Sequence, residues 1–320
     1  MTDPAPVLVV TGDDDATADL VTERLYDRGV PAVRLDPADL LGAVSVMSAR
    51  FGAAGLTGVV TTPSRELDLR RVRAVWWRRP TPYRAPASWT GQDAEFALAE
   101  ARFGFGGVLA ALDQPLWVNH PWRSRNAEYK PGQLVTAVRC GFTVPETLIT
   151  NGLAQAREFC TEHAPVVYKP LRHMIIEDGQ GVAGMIWANT VDPDELDESV
   201  AATAHMFQAR VDKVADVRVT VVGDQVFAVR IDNGRLDWRA HYPELTYTLV
   251  PCPSAVRQAI TSYMRVYDLL FGAFDFALTS DNEWFFLECN PNGQWAWIAE
   301  QEHLVADALT DLLQKGHLSS

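Results

Sequence analysis

Asp275 and Glu288 stand in two apolar, aromatic runs, 271–279 and 283–290, with Ser280-Asp281-Asn282 between them. Asp281-Asn282 can form a two-residue hairpin turn, because both residues tolerate left-handed backbone geometry. A hairpin centred there pairs Asp275 with Glu288 and Ala273 with Asn290. Strand alternation then lays Phe274, Phe276, Leu278, Phe285, Leu287 and Cys289 on a core face. Asp275, Glu288 and Asn290 share the other face. Directly opposed side chains lie about 4.5–5.5 Å apart at Cβ, where like charges repel. Magnesium would compensate them, since it takes hard oxygen ligands and keeps substrate phosphates in its shell. A nearby Arg or Lys would do so too.

A second hairpin supplies a cation. Val214 to Val222 and Gln225 to Ile231 flank Gly223-Asp224, another two-residue turn. Asp216, Arg218 and Thr220 share one face, and Arg230 lies on the opposite one. An arginine in a strand of valines needs an anion, because burying a bare charge is costly. A nucleotide phosphate, a substrate carboxylate or the neighbouring Asp216 would serve. Arg239, in Asp237-Trp238-Arg239, is a further anion-binding candidate. Lysine is scarce in this chain, so Lys130 and Lys169 stand out. Lys130 opens a helix before Gln133, and Lys169 ends the apolar strand 165–170. Either can reach a phosphate as a compact cation, though either alone reads more readily as a solvated surface residue. Together with the Asp275 and Glu288-x-Asn290 hairpin, the two lysines read instead as phosphate-binding cations.

These side chains need lobes to position them. Val7 to Val10, the helix-period run Ala18 to Arg28 closed by Gly29, and Val30 to Leu35 read as strand, helix and strand, a parallel α/β opening. Val72 to Trp77 and Leu116 to Asn119 are further strands, with one long helix between them over 93–112. His120-Pro121 marks a lobe boundary. Helices over 133–139 and 153–163 and a strand after Val144-Pro145 precede the two hairpins. The first turn, Thr11 to Asp15, lacks a Gly-rich fingerprint and carries three aspartates, which argues against a dinucleotide site.

Composition narrows the classes. The chain has 320 residues, 28 Lys+Arg against 41 Asp+Glu and a net charge of −13. That balance disfavours a general nucleic-acid binder, which needs a basic footprint. No apolar run approaches the roughly twenty residues of a membrane span, and the N-terminus does not read as a secretion signal. Cys140, Cys160, Cys252 and Cys289 show no zinc spacing. Reduced thiols and a cytoplasmic location are expected.

The residues already named carry a family resemblance. Asn126…Lys130-x-x-Gln133-Leu134, Gly141-Phe142-x-Val144-Pro145-x-Thr147 and Tyr168-Lys169-Pro170 resemble the start of an ATP-grasp module. Asp216-x-Arg218 and Leu287-Glu288-x-Asn290-Pro291-Asn292-Gly293 resemble its later motifs. Within that superfamily the chain is most similar to the ribosomal-peptide maturases, or graspetide synthetases, which include the microviridin-type ligases. Val75-Trp76-Trp77-Arg78-Arg79-Pro80, Phe207-Gln208, Asp237-Trp238-Arg239 and Asn290-Pro291-Asn292-Gly293-Gln294-Trp295 argue for that branch.

The resemblance implies an α/β chain of α+β lobes, an ATP-grasp fold behind an N-terminal parallel α/β pre-ATP-grasp domain. The expected division is 1–120, then a central subdomain at 121–205, then a C-terminal subdomain at 206–320 with the Mg2+ and ATP site. Lys130 and Lys169 would contact ATP, and Gln208 to Val211 would form the hinge that holds adenine. That hinge lacks the acidic residue common in the superfamily. Asp275, Glu288 and Asn290 would hold magnesium, and Arg218 and Arg239 would stabilise the transferring phosphoryl group. Residues 178–184 would form a flexible cover, and Glu177, His173 and His241 are the candidates for a general base. The partner would be a precursor peptide, leader plus core, and the enzyme a homodimer. Its product would be a macrocyclic ester or amide made through an acyl phosphate. The competing reading is a ligase for small amino acids or a protein C-terminus.

Overall fold

The computed structural model describes residues 5–42, 44–53, 55–172, 175–177, 183–232 and 245–317. The first apolar run forms β1 (Val7–Val10), buried along its whole length. Asp15 starts α1 (Ala16–Asp27), its Oδ1 accepting the Ala18 N–H at 3.2 Å and so satisfying a donor that every helix start leaves free. Gly29 leaves the helix at φ +68°, a backbone state that suits a residue without Cβ. β2 (Ala32–Leu35) returns parallel to β1. Residues 46–68, weakly patterned and half-exposed, build an antiparallel meander of β3 (Val46–Gly52), β4 (Gly55–Thr61) and β5 (Glu66–Asp68). β6 (Ala74–Trp77) pairs with the other edge of β1.

The single helix expected over 93–112 is two, α2 (Gly91–Phe103) and α3 (Phe105–Ala110). They break at Gly104, where a Cβ would lie 2.7 Å from the Glu100 carbonyl oxygen. Gly106 and Gly107 follow, and glycine is a weak helix former. β7 (Leu116–Val118) completes a parallel sheet of order β2-β1-β6-β7.

The chain then turns through α4 (Pro121–Ala127) and α5 (Lys130–Cys140), which ends at Gly141 in the left-handed region. β8 (Thr147–Thr150), α6 (Leu153–Glu162) and β9 (Val166–Lys169) follow. A separate hairpin, β10 (Ile175–Glu177) and β11 (Ala183–Met185), precedes β12 (Asn189–Val191) and β13 (His205–Ala209). The antiparallel central sheet has the order β12-β9-β13-β8. Ala156 and Cys160 of α6 pack on its Val166 and Phe207.

The last sheet is formed by β14 (Lys213–Val222), β15 (Gln225–Asp232) and β16 (Thr246–Val250), then α7 (Ser254–Tyr267), then β17 (Phe271–Thr279) and β18 (Trp284–Asn290). α8 (Ala299–Lys315) closes the chain. The order is β16-β15-β14-β17-β18. β14 and β15 take the expected register, with Val222 opposite Gln225 across a turn in which Gly223 has φ +59°. One sheet face packs Val217, Val219, Phe274 and Phe276 against Ile260, Tyr263 and Met264 of α7. The other packs Val222, Phe271 and Ala273 against Val305 and Leu309 of α8, with Trp295, and with Val9 and Trp76 of the first lobe. This second face also carries Asp216, Arg218 and Asp275, so the N-terminal lobe is seated beside them.

The loop between β17 and β18 differs from the sequence expectation. The Thr279 N–H donates to the Glu283 carbonyl at 3.0 Å, leaving Ser280, Asp281 and Asn282 as a three-residue loop with Asn282 at φ 63°. An odd loop shifts the register, so Leu278, Ala277 and Phe276 oppose Trp284, Phe285 and Phe286. A bulge then inserts Leu287 and restores Asp275 opposite Glu288 and Ala273 opposite Asn290. Before the bulge the faces are exchanged. Phe286 enters the core, while Phe285 and Leu287, which simple alternation assigns there, stay half-buried.

Asn119 ties the first lobe to this sheet. Its side-chain oxygen accepts the N–H groups of Leu270 and Phe271 at 2.7 and 3.0 Å. Its amide nitrogen donates to the Phe271 and Pro291 carbonyls at 2.8 and 2.9 Å. Every hydrogen-bonding position of a primary amide is thereby used. Asn119→Ala strands buried backbone groups and should cost about 2–3 kcal/mol. Urea unfolding with a lower midpoint and unchanged slope checks this.

Candidate active site

Arg218 and Asp275 meet across β14 and β17, where they are direct register partners. Arg218 Nη1 lies 2.8 and 2.9 Å from the two Asp275 oxygens, and Nη2 donates to the Gln294 carbonyl at 3.1 Å. Both side chains are buried. Asp216, the local partner considered from the sequence, pairs instead with Lys213 at 2.6 Å. The spacing explains this, because Arg218 reaches sideways to the neighbouring strand while Lys213 precedes a ladder irregularity that brings it to Asp216.

Glu288 receives Lys130 at 3.0 Å. Lys130 Nζ also donates to the Pro170 carbonyl at 2.9 Å. One buried lysine at the head of α5 thus spans the end of β9 and the edge strand β18. The two opposed carboxylates are each met by a cation, the compensation their repulsion requires.

The edge of β18 is held by Gln133. Its amide nitrogen donates to the Ala127 and Cys289 carbonyls at 2.6 and 2.8 Å, and its oxygen accepts the Cys289 N–H at 2.9 Å. The side chain takes the place of a neighbouring strand and fixes the backbone between Glu288 and Asn290. Asn290 Oδ1 accepts the Asn292 N–H at 2.9 Å, which shapes the loop that follows. That loop is gripped from the first lobe. Buried Arg78 donates through Nη1 to the Asn292 carbonyl at 2.8 Å and through Nη2 to Gln294 Oε1. Gly293 allows the close approach, since a Cβ there would sit 2.6 Å from Arg218 Nη2. Burial pushes the Arg78 guanidinium down to about 10, against the pull of Asp15, so it stays cationic at neutral pH.

The family described as the MvdD pre-ATP grasp domain matches residues 6–125. Among solved structures, the Chryseobacterium gregarium RiPP-associated ATP-grasp ligase, in complex with ADP and a leader and core peptide, superposes with a TM-score of 0.89. It is 25% identical, over 98% of this chain and 97% of that one. The chain has the fold of these ATP-grasp ligases, with a pre-ATP-grasp domain as its first lobe. The macrocyclase MdnC from Microcystis aeruginosa MRC, bound with its precursor peptide MdnA, gives 0.87 at 25% identity, covering 97% of this chain and 99% of that one. The macrocyclase MdnB of the same organism gives 0.80 at 27% identity, with the same coverage. No curated protein matches the sequence.

Lys169 lies at the end of β9, its Nζ donating to Gln208 Oε1 at 2.7 Å. Gln208 is buried in β13 and donates in turn to Thr147 Oγ1 at 2.9 Å. Val211 lies in the short link from β13 to β14, half-buried, next to Arg210, whose N–H donates to the Pro165 carbonyl at 2.9 Å. Lys130, Arg218, Asp275, Glu288 and Asn290 are brought into one seam. Arg239, His173 and His241 lie outside the described residues, as do 178–182 of the expected cover; of Glu177 only the backbone, in β10, is described. Sequence reading gave no role to Gln133, Asn119 or Arg78. The first two are uncharged: Gln133 showed only as part of a resembling motif, and Asn119 only as a polar residue ending an apolar strand.

Proposed function

We propose that the ligase forms macrocyclic ω-ester or ω-amide links between side chains of a ribosomally made precursor peptide, using ATP and Mg2+. The observation that carries this reading is the seam where Arg218–Asp275 and Lys130–Glu288 face each other across one strand pair. The oxygen set of Asp275, Glu288 and Asn290 suits magnesium, a hard cation. Asp275 can keep Arg218 and still ligate, because each carboxylate oxygen has a second lone pair. When bound, the metal neutralises charge on the phosphate oxygens.

The chain's own residues then have defined work. Lys130 and Lys169 meet phosphates at the central sheet. Gln208 to Val211, at the passage from central to C-terminal sheet, hold the adenine end. Arg218, with Arg239 beyond β15, neutralises the group in transfer. An Asp or Glu carboxylate of the peptide takes the γ-phosphoryl group, giving an acyl phosphate and ADP. A Ser or Thr hydroxyl or a Lys amine of the same peptide forms the new bond, and phosphate leaves with the pair of electrons. Catalysis of this kind is mostly positioning and charge neutralisation.

The reading extends to a homodimer and to the division 1–120, 121–205 and 206–320, with the second boundary at β13. Cytoplasmic residence fits the four free cysteines. Among the described residues no helix is long and apolar enough to cross a membrane. The test is mass spectrometry of a precursor peptide encoded beside this gene, incubated with the protein, ATP and magnesium. Loss of one water mass per link, dependent on ATP, is the expected result. An unchanged peptide with ADP release stimulated by free amino acids would favour a small-molecule ligase.

A further inference from the structure

Two motifs that mark the branch, 75–80 and 290–295, meet in space, and the roles given above use only Asn290 of them. Trp76 and Trp295 pack in one core. Buried Arg78, just past β6, donates to the Asn292 carbonyl at 2.8 Å and to Gln294 Oε1, and its Nε faces Asp15 at 3.5 Å. Thr17, in the first turn of α1, donates its hydroxyl to the same Gln294 Oε1 at 3.1 Å. One side-chain oxygen therefore takes two donors from the first lobe, which uses both of its lone pairs.

The Gln294 carbonyl serves the C-terminal sheet instead. It accepts Arg218 Nη2 at 3.1 Å and Trp297 Nε1 at 3.3 Å. Arg218 thus has two fixed points, Asp275 on Nη1 and this carbonyl on Nη2. Its buried Nε has no hydrogen-bond partner, so Asp275 alone would leave the guanidinium to swing about Nη1. A planar fork is aimed only when two of its nitrogens are held. Residue 294 lies past the end of β18, where no strand ladder fixes its backbone. Its own side chain fixes it, through Arg78 and Thr17. We propose that Gln294 is a positioning residue: anchored to the first lobe by its side chain, it aims its carbonyl at Arg218 and so sets the guanidinium that neutralises the group in transfer. This rests on the role given to Arg218 in the maturase reading.

The test compares wild type with Q294M and Q294E, following ADP release with magnesium, ATP and a precursor peptide encoded beside this gene. Methionine keeps the bulk and puts a weak sulfur acceptor in place of the oxygen, whereas glutamate keeps the oxygen. Q294M should lower kcat by about 10–100-fold, the scale of a small misplacement at a reacting centre, with KM for ATP within about two-fold of wild type. Q294E should recover most of that loss, because its oxygen still accepts from Arg78 and Thr17. A crystal structure of Q294M should show Arg218 Nη2 out of hydrogen-bond reach of the residue 294 carbonyl, with Asp275 still on Nη1. A Q294M kcat within about two-fold of wild type, or an Arg218 that keeps the carbonyl contact, overturns the proposal. So does a loss shared by kcat and both KM values that Q294E leaves unrecovered, the mark of a loosened loop. The maturase reading fails separately. Wild type that releases ADP with free amino acids and leaves the peptide unchanged sinks that reading, and the same variants then test Gln294 on that reaction. A peptide that loses water in wild type and in Q294M at equal rates overturns the Gln294 proposal alone.

Discussion

Glu288→Gln should yield a folded protein whose ATP-dependent turnover is lower by about 10²–10³-fold, the scale of removing one preorganised charge partner from a phosphoryl-transfer site. Folding survives because the amide oxygen can still accept from Lys130, and Lys130 keeps its bond to the Pro170 carbonyl. Lys130 is buried and Glu288 half-buried, but with both acceptors of Lys130 kept the change should cost on the order of 1 kcal/mol. Gln also preserves the bulge at Leu287, which is set by the three-residue loop and by Gln133 on the Cys289 backbone. The loss is therefore chemical, since Gln is a weaker ligand for a hard cation. ADP release at saturating magnesium, beside a thermal unfolding curve close to wild type, is the measurement. Turnover within about two-fold of wild type would remove Glu288 from the metal set.

That variant also shows what was legible in the sequence. The pairing of Asp275 with Glu288 was readable, but for a reason only partly right. The sequence suggests a two-residue turn; the chain uses three residues and corrects the register with a bulge. A loop and a bulge that cancel leave the far pairs in place and move only the near ones, which is why Phe286 and not Phe285 is in the core. The β14–β15 hairpin had no such compensation and reads through from Val222–Gln225 to Asp216–Ile231. Charge left a trace because Arg218 and Lys130 are costly to bury without partners. The partners themselves were not legible: Arg218 meets Asp275 rather than Asp216 because a strand places its side chains beside the next strand's, not beside its own. Gln133 and Asn119 act through backbone groups far along the chain, and no local pattern encodes such contacts.

The largest stability effect belongs to the Arg218–Asp275 pair. Arg218→Met removes the cation bound to both Asp275 oxygens in a setting where both side chains are buried. Stripping one partner from a buried pair leaves an uncompensated charge and should cost about 3–5 kcal/mol. Asp275→Leu strips the other and should cost about as much, since the guanidinium keeps only the Gln294 carbonyl. The double variant removes both charges and fills the space with apolar atoms, so it should be more stable than either single variant. The cycle then has a coupling energy of several kcal/mol, against roughly 0.3–0.5 kcal/mol for independent sites. All three proteins should be inactive, because Asp275 and Arg218 serve the same transfer step. The double variant therefore separates the two roles: it restores folding without restoring turnover. Additive losses in denaturant unfolding would mean that the pair is not coupled and that the seam is held by the 292–294 loop alone. A double variant that regains turnover would remove both residues from the chemistry.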